Sequence, residues 1–164
     1  MRTEIRPATP DDAPGIEAVR IQTWKYAYRG AMPDAFLDDL AVTEENVRLR
    51  RQALDSGRTR AIVGETAGAL AGFSMYGDSR DDRADTEVYA IYVLPAHLST
   101  GLGRALMTAT VEAIPAERTV GLWVLAANPR ARRFYERFGF VETGGAKVED
   151  GLRQVHYILA ARSE

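Results

Sequence analysis

A mixed α/β fold on a single sheet is what the sequence predicts, and three observations predict it. Strand-like and helix-like apolar patterns follow one another in the order β, helices, ββ, β, α, β, α, ββ. Two of the strands are each followed directly by a helix, over residues 87–114 and 120–138, and such β–α crossovers require parallel pairing. A chain of 164 residues, 46% hydrophobic and 27% charged, has the size and composition of one globular domain spanning 1–164. It contains no internal repeat, low-complexity tract or long flexible linker.

Residues 3–6 form a short strand stopped by Pro7. Asp11 or Asp12 caps a helix running to about Trp24, in which Ile16, Val19 and Thr23 recur at helical spacing. Asp34 opens a short helix through Leu40. Thr43, followed by Glu45 and Asn46, opens another through about Leu54, ended by Ser56 and Gly57. Residues 60–65 and 70–76 read as a hairpin around Ala67 and Gly68. A polar loop at 78–85, with Asp78, Asp81, Asp82 and Asp85, leads into 87–94, the most strand-like run, closed by Pro95. Residues 101 to about 114 form a helix with Leu102, Leu106, Ala109 and Ala113 as its apolar stripe. Val120–Leu125 is a strand. Pro129–Phe138 is a helix with Pro at its first position and Gly139 just past its end, its Phe134 and Phe138 expected in the core. Residues 140–142 and 152–160 are the closing strands, and the chain near 144–151 reads as their loop.

Composition excludes several kinds of chemistry. There is no Cys, hence no disulfide framework, thiolate metal centre or cysteine nucleophile. His97 and His156 are the only histidines, so no metal site is expected. Net charge is −2, without the basic excess of a nucleic-acid binder. No apolar run approaches the roughly 20 residues that span a bilayer, and residues 1–10 lack the apolar stretch of a secretory signal. A cytoplasmic location is expected, with neither nucleic acid nor membrane as partner. Lys25 and Lys147 are the only lysines, so the positive charge is almost all Arg, which grips phosphate and carboxylate with a rigid fork.

Two segments carry chemistry. In the first, a strand ending at Tyr92 and Val93 is followed by a polar, glycine-containing turn and a helix: Leu98, Ser99, Thr100, Gly101, Leu102, Gly103, Arg104, Ala105. The N–H groups that begin a helix are unpaired and, with the helix dipole, make a site for phosphate or pyrophosphate. Glycine lets such a ligand approach the backbone. A helix opening with incidental glycines is the structural alternative. The turn lacks the Gly-Lys-Ser/Thr of a Walker loop, and position 106 is Leu rather than the third glycine of a dinucleotide fingerprint. The second segment runs from Asn128 through Arg130, Ala131, Arg132, Arg133, Phe134 and Tyr135 to Gly139 and Phe140. Asn128 stands where it caps the helix whatever else it does.

Together these segments resemble the GNAT superfamily of N-acetyltransferases. The first is similar to the family's Gln/Arg-x-x-Gly-x-Gly/Ala. The second matches Asn-x-x-Ala-x-x-Phe-Tyr-x-x-x-Gly-Phe at Asn128, Ala131, Phe134, Tyr135, Gly139 and Phe140. The stretch from Thr23 to Gly30, with Pro33 and Asp34, is also similar to a bacterial branch of the family. One departure is that the family's Gln/Arg falls on Leu98.

The resemblance implies a twisted sheet of six to seven strands, mostly antiparallel and partly parallel, splayed in the middle and flanked by about four helices. It implies acetyl transfer from acetyl-CoA to an amine. The cofactor would lie along Tyr92 and Val93, its pyrophosphate on Leu98, Ser99, Thr100, Gly101, Leu102, Gly103, Arg104 and Ala105. Asn128, Arg130, Arg132 and Arg133 would stand nearby, and the Val93 N–H would polarise the thioester oxygen. Glu87, six residues before Val93 on the same strand face, is the candidate base, against a plain strand-edge Glu. Tyr135 matches the family's general acid, against a half-buried packing residue. Trp24, Tyr28 and Tyr89 are candidates for the acceptor side. The acceptor is expected to be a small-molecule amine. A protein N-terminus or lysine, a non-catalytic acyl-CoA-binding module and a nucleotide-phosphate domain are the alternatives. A homodimer is compatible with the resemblance.

Overall fold

The structure is a computed structural model in which residues 2–162 are described. Its elements are β1 (Thr3–Pro7), α1 (Ala13–Ala27), α2 (Asp34–Asp39), α3 (Glu44–Ser56), β2 (Thr59–Thr66), β3 (Ala69–Asp78) and β4 (Thr86–Val93). They continue with α4 (Leu102–Ala113), β5 (Val120–Leu125), α5 (Pro129–Phe138), β6 (Val141–Glu149) and β7 (Leu152–Leu159). The strands form a seven-stranded sheet in the order β1-β2-β3-β4-β5-β7-β6. The β1–β2, β5–β7 and β6–β7 ladders are antiparallel, and β4–β5 is parallel, as the intervening helix requires. The parallel ladder joins Thr86 to Val120 and Glu87 to Gly121, whereas β7 pairs along the whole of β5.

The residues fall into two compact units, Met1–Tyr76 with Ala90–Thr110, and Gly77–Tyr89 with Val111–Glu164. Each is described by itself.

In the first unit, Ile16, Val19 and Thr23 turn into the core as their spacing predicts. α1 packs on α2 and α3. Buried Glu17 pairs with Arg20 on its own helix (2.9 Å) and ties α1 to α3 through Arg50 (2.8 Å). Thr43 Oγ1 accepts the Asn46 N–H at 3.1 Å and caps α3, which Gly57 ends at φ +76°. Asp12 does not cap α1 with its side chain. Its carboxylate accepts the Thr9 N–H at 2.8 Å and pairs with Arg6 at 2.8 Å, which holds it below the usual carboxylate range.

α4 settles on two glycines. A Cβ on Gly64 would stand 2.7 Å from Leu102 Cδ1, and one on Gly72 would stand 3.0 Å from Leu106 Cδ1 and 2.8 Å from the Tyr92 carbonyl oxygen. Small residues on β2 and β3 thus set how closely the first turn of α4 lies against the sheet. The stripe expected on Ala113 is displaced: Leu102, Leu106, Met107 and Thr110 are buried here, and Ala113 is exposed. Leu106→Ala is expected to lower unfolding stability by 2–5 kcal/mol, as burial of a whole Leu implies. Chemical denaturation checks it, and a loss under about 1 kcal/mol would contradict this packing.

In the second unit, Asn128 Oδ1 accepts the Ala131 N–H at 3.1 Å and Gly139 closes α5 at φ +119°. The core-facing residue of α5 is Tyr135, 9% exposed, while Phe134 and Phe138 are half-buried. The closing hairpin also differs from expectation. β6 runs from Val141 to Glu149, so Gly144 and Gly145 lie inside a strand, at a register shift between Glu142 and Ala146. The turn is Asp150 and Gly151, at φ +52° and +77°.

Candidate active site

In the first unit, the end of β4 has two faces. Tyr92 projects toward α1, where its hydroxyl accepts the Trp24 Nε1–H at 3.1 Å and its ring meets Phe73 edge-on at 5.5 Å. Tyr28 stacks on Trp24 at 4.5 Å. Burial pushes the Tyr28 hydroxyl up to about 12 and raises that of Tyr92, so both stay protonated near neutral pH. Trp24, Tyr28 and Tyr92 are therefore one aromatic cluster, and Tyr92 offers a ligand its main chain only. Val93 alternates to the opposite face.

The chain then turns through a 3₁₀ segment, Pro95–His97, anchored by the Leu94 N–H on the Ala71 carbonyl at 2.9 Å. Ser99 and Gly101 both take left-handed backbone, at φ +62° and +90°. For Ser99 this conformation costs roughly 1 kcal/mol. Thr100 Oγ1 donates to the His97 carbonyl at 2.5 Å, which tightens the turn. The first helical bond runs from the Ala105 N–H to the Gly101 carbonyl at 3.0 Å. The N–H groups of Leu102, Gly103 and Arg104 precede it, at the positive end of α4, and Arg104 is exposed beside them. Ala105, expected among the phosphate-facing residues, has its N–H inside the helix ladder. The Leu98 side chain is half-buried in the turn. The turn therefore presents main-chain donors and one guanidinium, a fit for a diphosphate.

In the second unit, Glu87 is 2% exposed and meets Arg80 from the loop before it. Oε1 accepts the Arg80 backbone N–H at 3.0 Å, and Oε2 accepts Nη2 at 2.6 Å and Nε at 3.2 Å. The Arg80 side chain is 63% exposed, and its guanidinium lies 4.9 Å over the Tyr89 ring, whose hydroxyl donates to the Asp78 carbonyl. Three acids of this loop act as staples. Asp85 holds the Thr119 N–H at 2.9 Å, Asp78 pairs with Arg118 at 3.1 Å, and Asp81 accepts the Trp123 Nε1–H at 3.2 Å.

On β5 and β7, Trp123 meets His156 edge-on at 4.9 Å, with the Arg83 guanidinium 5.4 Å and the Lys147 ammonium 4.5 Å from its ring centre. Gly121 makes room for the imidazole, since a Cβ there would stand 2.8 Å from His156 Nε2 and 2.9 Å from the Ala84 Cβ. Gly121→Ala is expected to cost 1–3 kcal/mol by overpacking. Thermal denaturation reads it, and an unchanged midpoint would contradict so close an approach. Tyr135 packs against Phe134 at 5.4 Å, Phe140 at 6.1 Å and Tyr157 at 6.4 Å. Arg132, expected to add charge for a phosphate, is instead committed to Tyr157 (3.0 Å), the Ala126 carbonyl (3.1 Å) and Glu142 (2.8 Å). Arg133 is exposed.

Residues 21–140 match the acetyltransferase (GNAT) family. The chain belongs to the GNAT family of acetyltransferases. An uncharacterized N-acetyltransferase of Archaeoglobus fulgidus is 31% identical over 150 residues, covering 89% of this chain and 99% of that one. Among solved structures, yncA from Salmonella typhimurium, solved with its cofactor acetyl-CoA, superposes with a TM-score of 0.73 at 20% identity, covering 100% of this chain and 96% of that one. The paia N-acetyltransferase of Thermoplasma acidophilum, in complex with coenzyme A, gives 0.69 at 16% identity over 95% and 98%. At these identities the two structures speak for the fold.

The second GNAT segment acquires local reasons from the geometry: Asn128 caps α5, Gly139 ends it, and Tyr135 and Phe140 touch. Arg80, Trp123 and His156 carry no motif in the sequence that marks them for this site. Arg80 lies in a polar loop without a motif, and His156 shows its place only once β7 is registered against β5. Gly121, a glycine inside a strand run, was the available sign of a close approach.

Proposed function

We propose that this GNAT chain transfers an acetyl group from acetyl-CoA to the primary amine of a small-molecule acceptor, directly within a ternary complex and in the cytoplasm. The observation that carries the reading is the turn from Leu98 to Arg104, with left-handed Ser99 and Gly101 and three N–H groups ahead of the first bond of α4. Bound acetyl-CoA supplies an acyl thioester activated toward amines. The amides of this turn hold the diphosphate, and Arg104, Arg130 and Arg133 add charge to it. The Tyr92 main chain aligns the pantetheine arm, assisted by Asn128, and the Val93 N–H polarises the thioester oxygen. Glu87 meets the acceptor's ammonium and draws its proton, directly or through a water. Tyr135 gives its hydroxyl proton to the sulfur as the C–S bond breaks and the C–N bond forms, and the second proton, shed by the acylated nitrogen, restores the hydroxyl through solvent. Trp24, Tyr28 and Tyr89 supply aromatic surface suited to a small organic amine.

Gly101→Ala tests the turn. Nothing lies within 4 Å of the added Cβ, so the substitution acts through backbone conformation alone. It is expected to cost about 1 kcal/mol and weaken CoA binding about fivefold, read by calorimetric titration. Unchanged affinity would reject the turn as the phosphate site.

A further inference from the structure

The second unit holds a buried imidazole that the mechanism above does not use. His156 is 1% exposed on β7. Its Nδ1 lies 3.1 Å from Thr143 Oγ1 on β6. That hydroxyl receives the Gly145 N–H at 3.2 Å and stands 3.3 Å from the His156 carbonyl. A hydroxyl has one hydrogen to give. Given to the carbonyl, it leaves Oγ1 to accept Nδ1–H, and Nε2 then carries the free lone pair. Among the described residues no hydrogen bond reaches Nε2, which instead lies over Gly121, the ladder partner of Glu87.

Four charges act on the ring: Asp81 and Arg83 from the loop before β4, Glu87 from β4, and Lys147 from β6, two of each sign. Trp123 on β5 adds an uncharged edge. Glu87 has both oxygens accepting from Arg80, so a proton it draws weakens those bonds and is passed on as they re-form.

We propose that His156 Nε2 is a second proton acceptor of this site, the group on which the proton drawn from the acceptor's ammonium comes to rest. The proposal rests on the transferase reading. The ammonium N–H bond breaks as its proton passes to the Glu87 carboxylate, directly or through a water. The proton moves on to form an Nε2–H bond as the Arg80 bonds to Glu87 re-form, and the imidazolium, among Asp81, Glu87, Arg83 and Lys147, later releases it to solvent while the neutral amine keeps its electron pair for the acyl carbon. Burial lowers the imidazole below its usual 6.5, so it is neutral and ready to accept at pH 7.

The sign follows. The neutral ring is the working form, so kcat/KM holds above the ring's midpoint and bends downward as pH falls through it, below 6.5. His156→Gln is expected to abolish that acid-side bend and lower kcat/KM at pH 7.5 about 100-fold, with CoA affinity retained. If this variant does not fold, Thr143→Val removes the hydroxyl that holds Nδ1 and is expected to shift the bend instead. The chain has only two histidines, so His97→Gln leaves His156 as the sole imidazole for ¹⁵N NMR, which is expected to show it neutral at pH 7 with the proton on Nδ1. An unaltered bend in His156→Gln, an unmoved bend in Thr143→Val, or a proton fixed on Nε2 overturns the proposal. Absence of turnover by the unsubstituted protein with every amine overturns the transferase reading first, and the proposal with it.

Discussion

Tyr135→Phe is expected to lower kcat roughly 100-fold while affinity for CoA stays within about twofold. The expectation follows from what the ring and the hydroxyl each do. The ring is 9% exposed and packs against Phe134, Phe140 and Tyr157, and a phenylalanine keeps all of these contacts. Loss of one hydroxyl costs on the order of 1 kcal/mol of stability. A large fall in kcat with a folded, CoA-binding variant therefore isolates proton donation to the departing sulfur. Equal kcat at saturating substrate would remove Tyr135 from the mechanism and return it to the core of α5.

Glu87→Gln carries the other large effect, an expected fall in kcat/KM of about 1000-fold. Gln keeps the size of the side chain and an oxygen for the Arg80 donors, but it removes the negative charge that meets the ammonium. The Arg80 guanidinium is 63% exposed and finds water when the pair is weakened, so little stability is lost. Arg80→Gln gives the contrast, keeping the carboxylate and removing its partner, with a smaller fall in rate and a change in KM for the amine. If Glu87→Gln turns over at the unsubstituted rate, Glu87 is a structural anchor for the loop from Asp78 to Asp85 and another group handles the proton.

Much of this arrangement is written locally. Pro129 and Gly139 mark α5 to the residue, and Thr43 and Gly57 mark α3 nearly as well, because caps and stop signals act within a single turn. The parallel pairing of β4 with β5 followed from the helix between them. The sequence predicts only a short β6 because Gly144 and Gly145 interrupt its alternation, where the strand in fact accommodates a register shift. In α5, sequence spacing favoured the two phenylalanines, yet Tyr135 takes the buried position because Phe140 and Tyr157 receive it from elements outside the helix. The pairing of Glu87 with Arg80 depends on a loop folding back, and the seat of His156 over Gly121 depends on register between strands distant in sequence. Neither leaves a periodic or spacing signal in the chain.

The central claim is tested most directly by incubating the protein with acetyl-CoA and a panel of amines, from amino acids and polyamines to antibiotics and short peptides, while measuring free thiol and N-acetylated amine together. Amine-dependent thiol release matched mole for mole by an N-acetylated small molecule is the predicted result. Thiol release that no amine accelerates, or acetylation confined to the peptides, would contradict it.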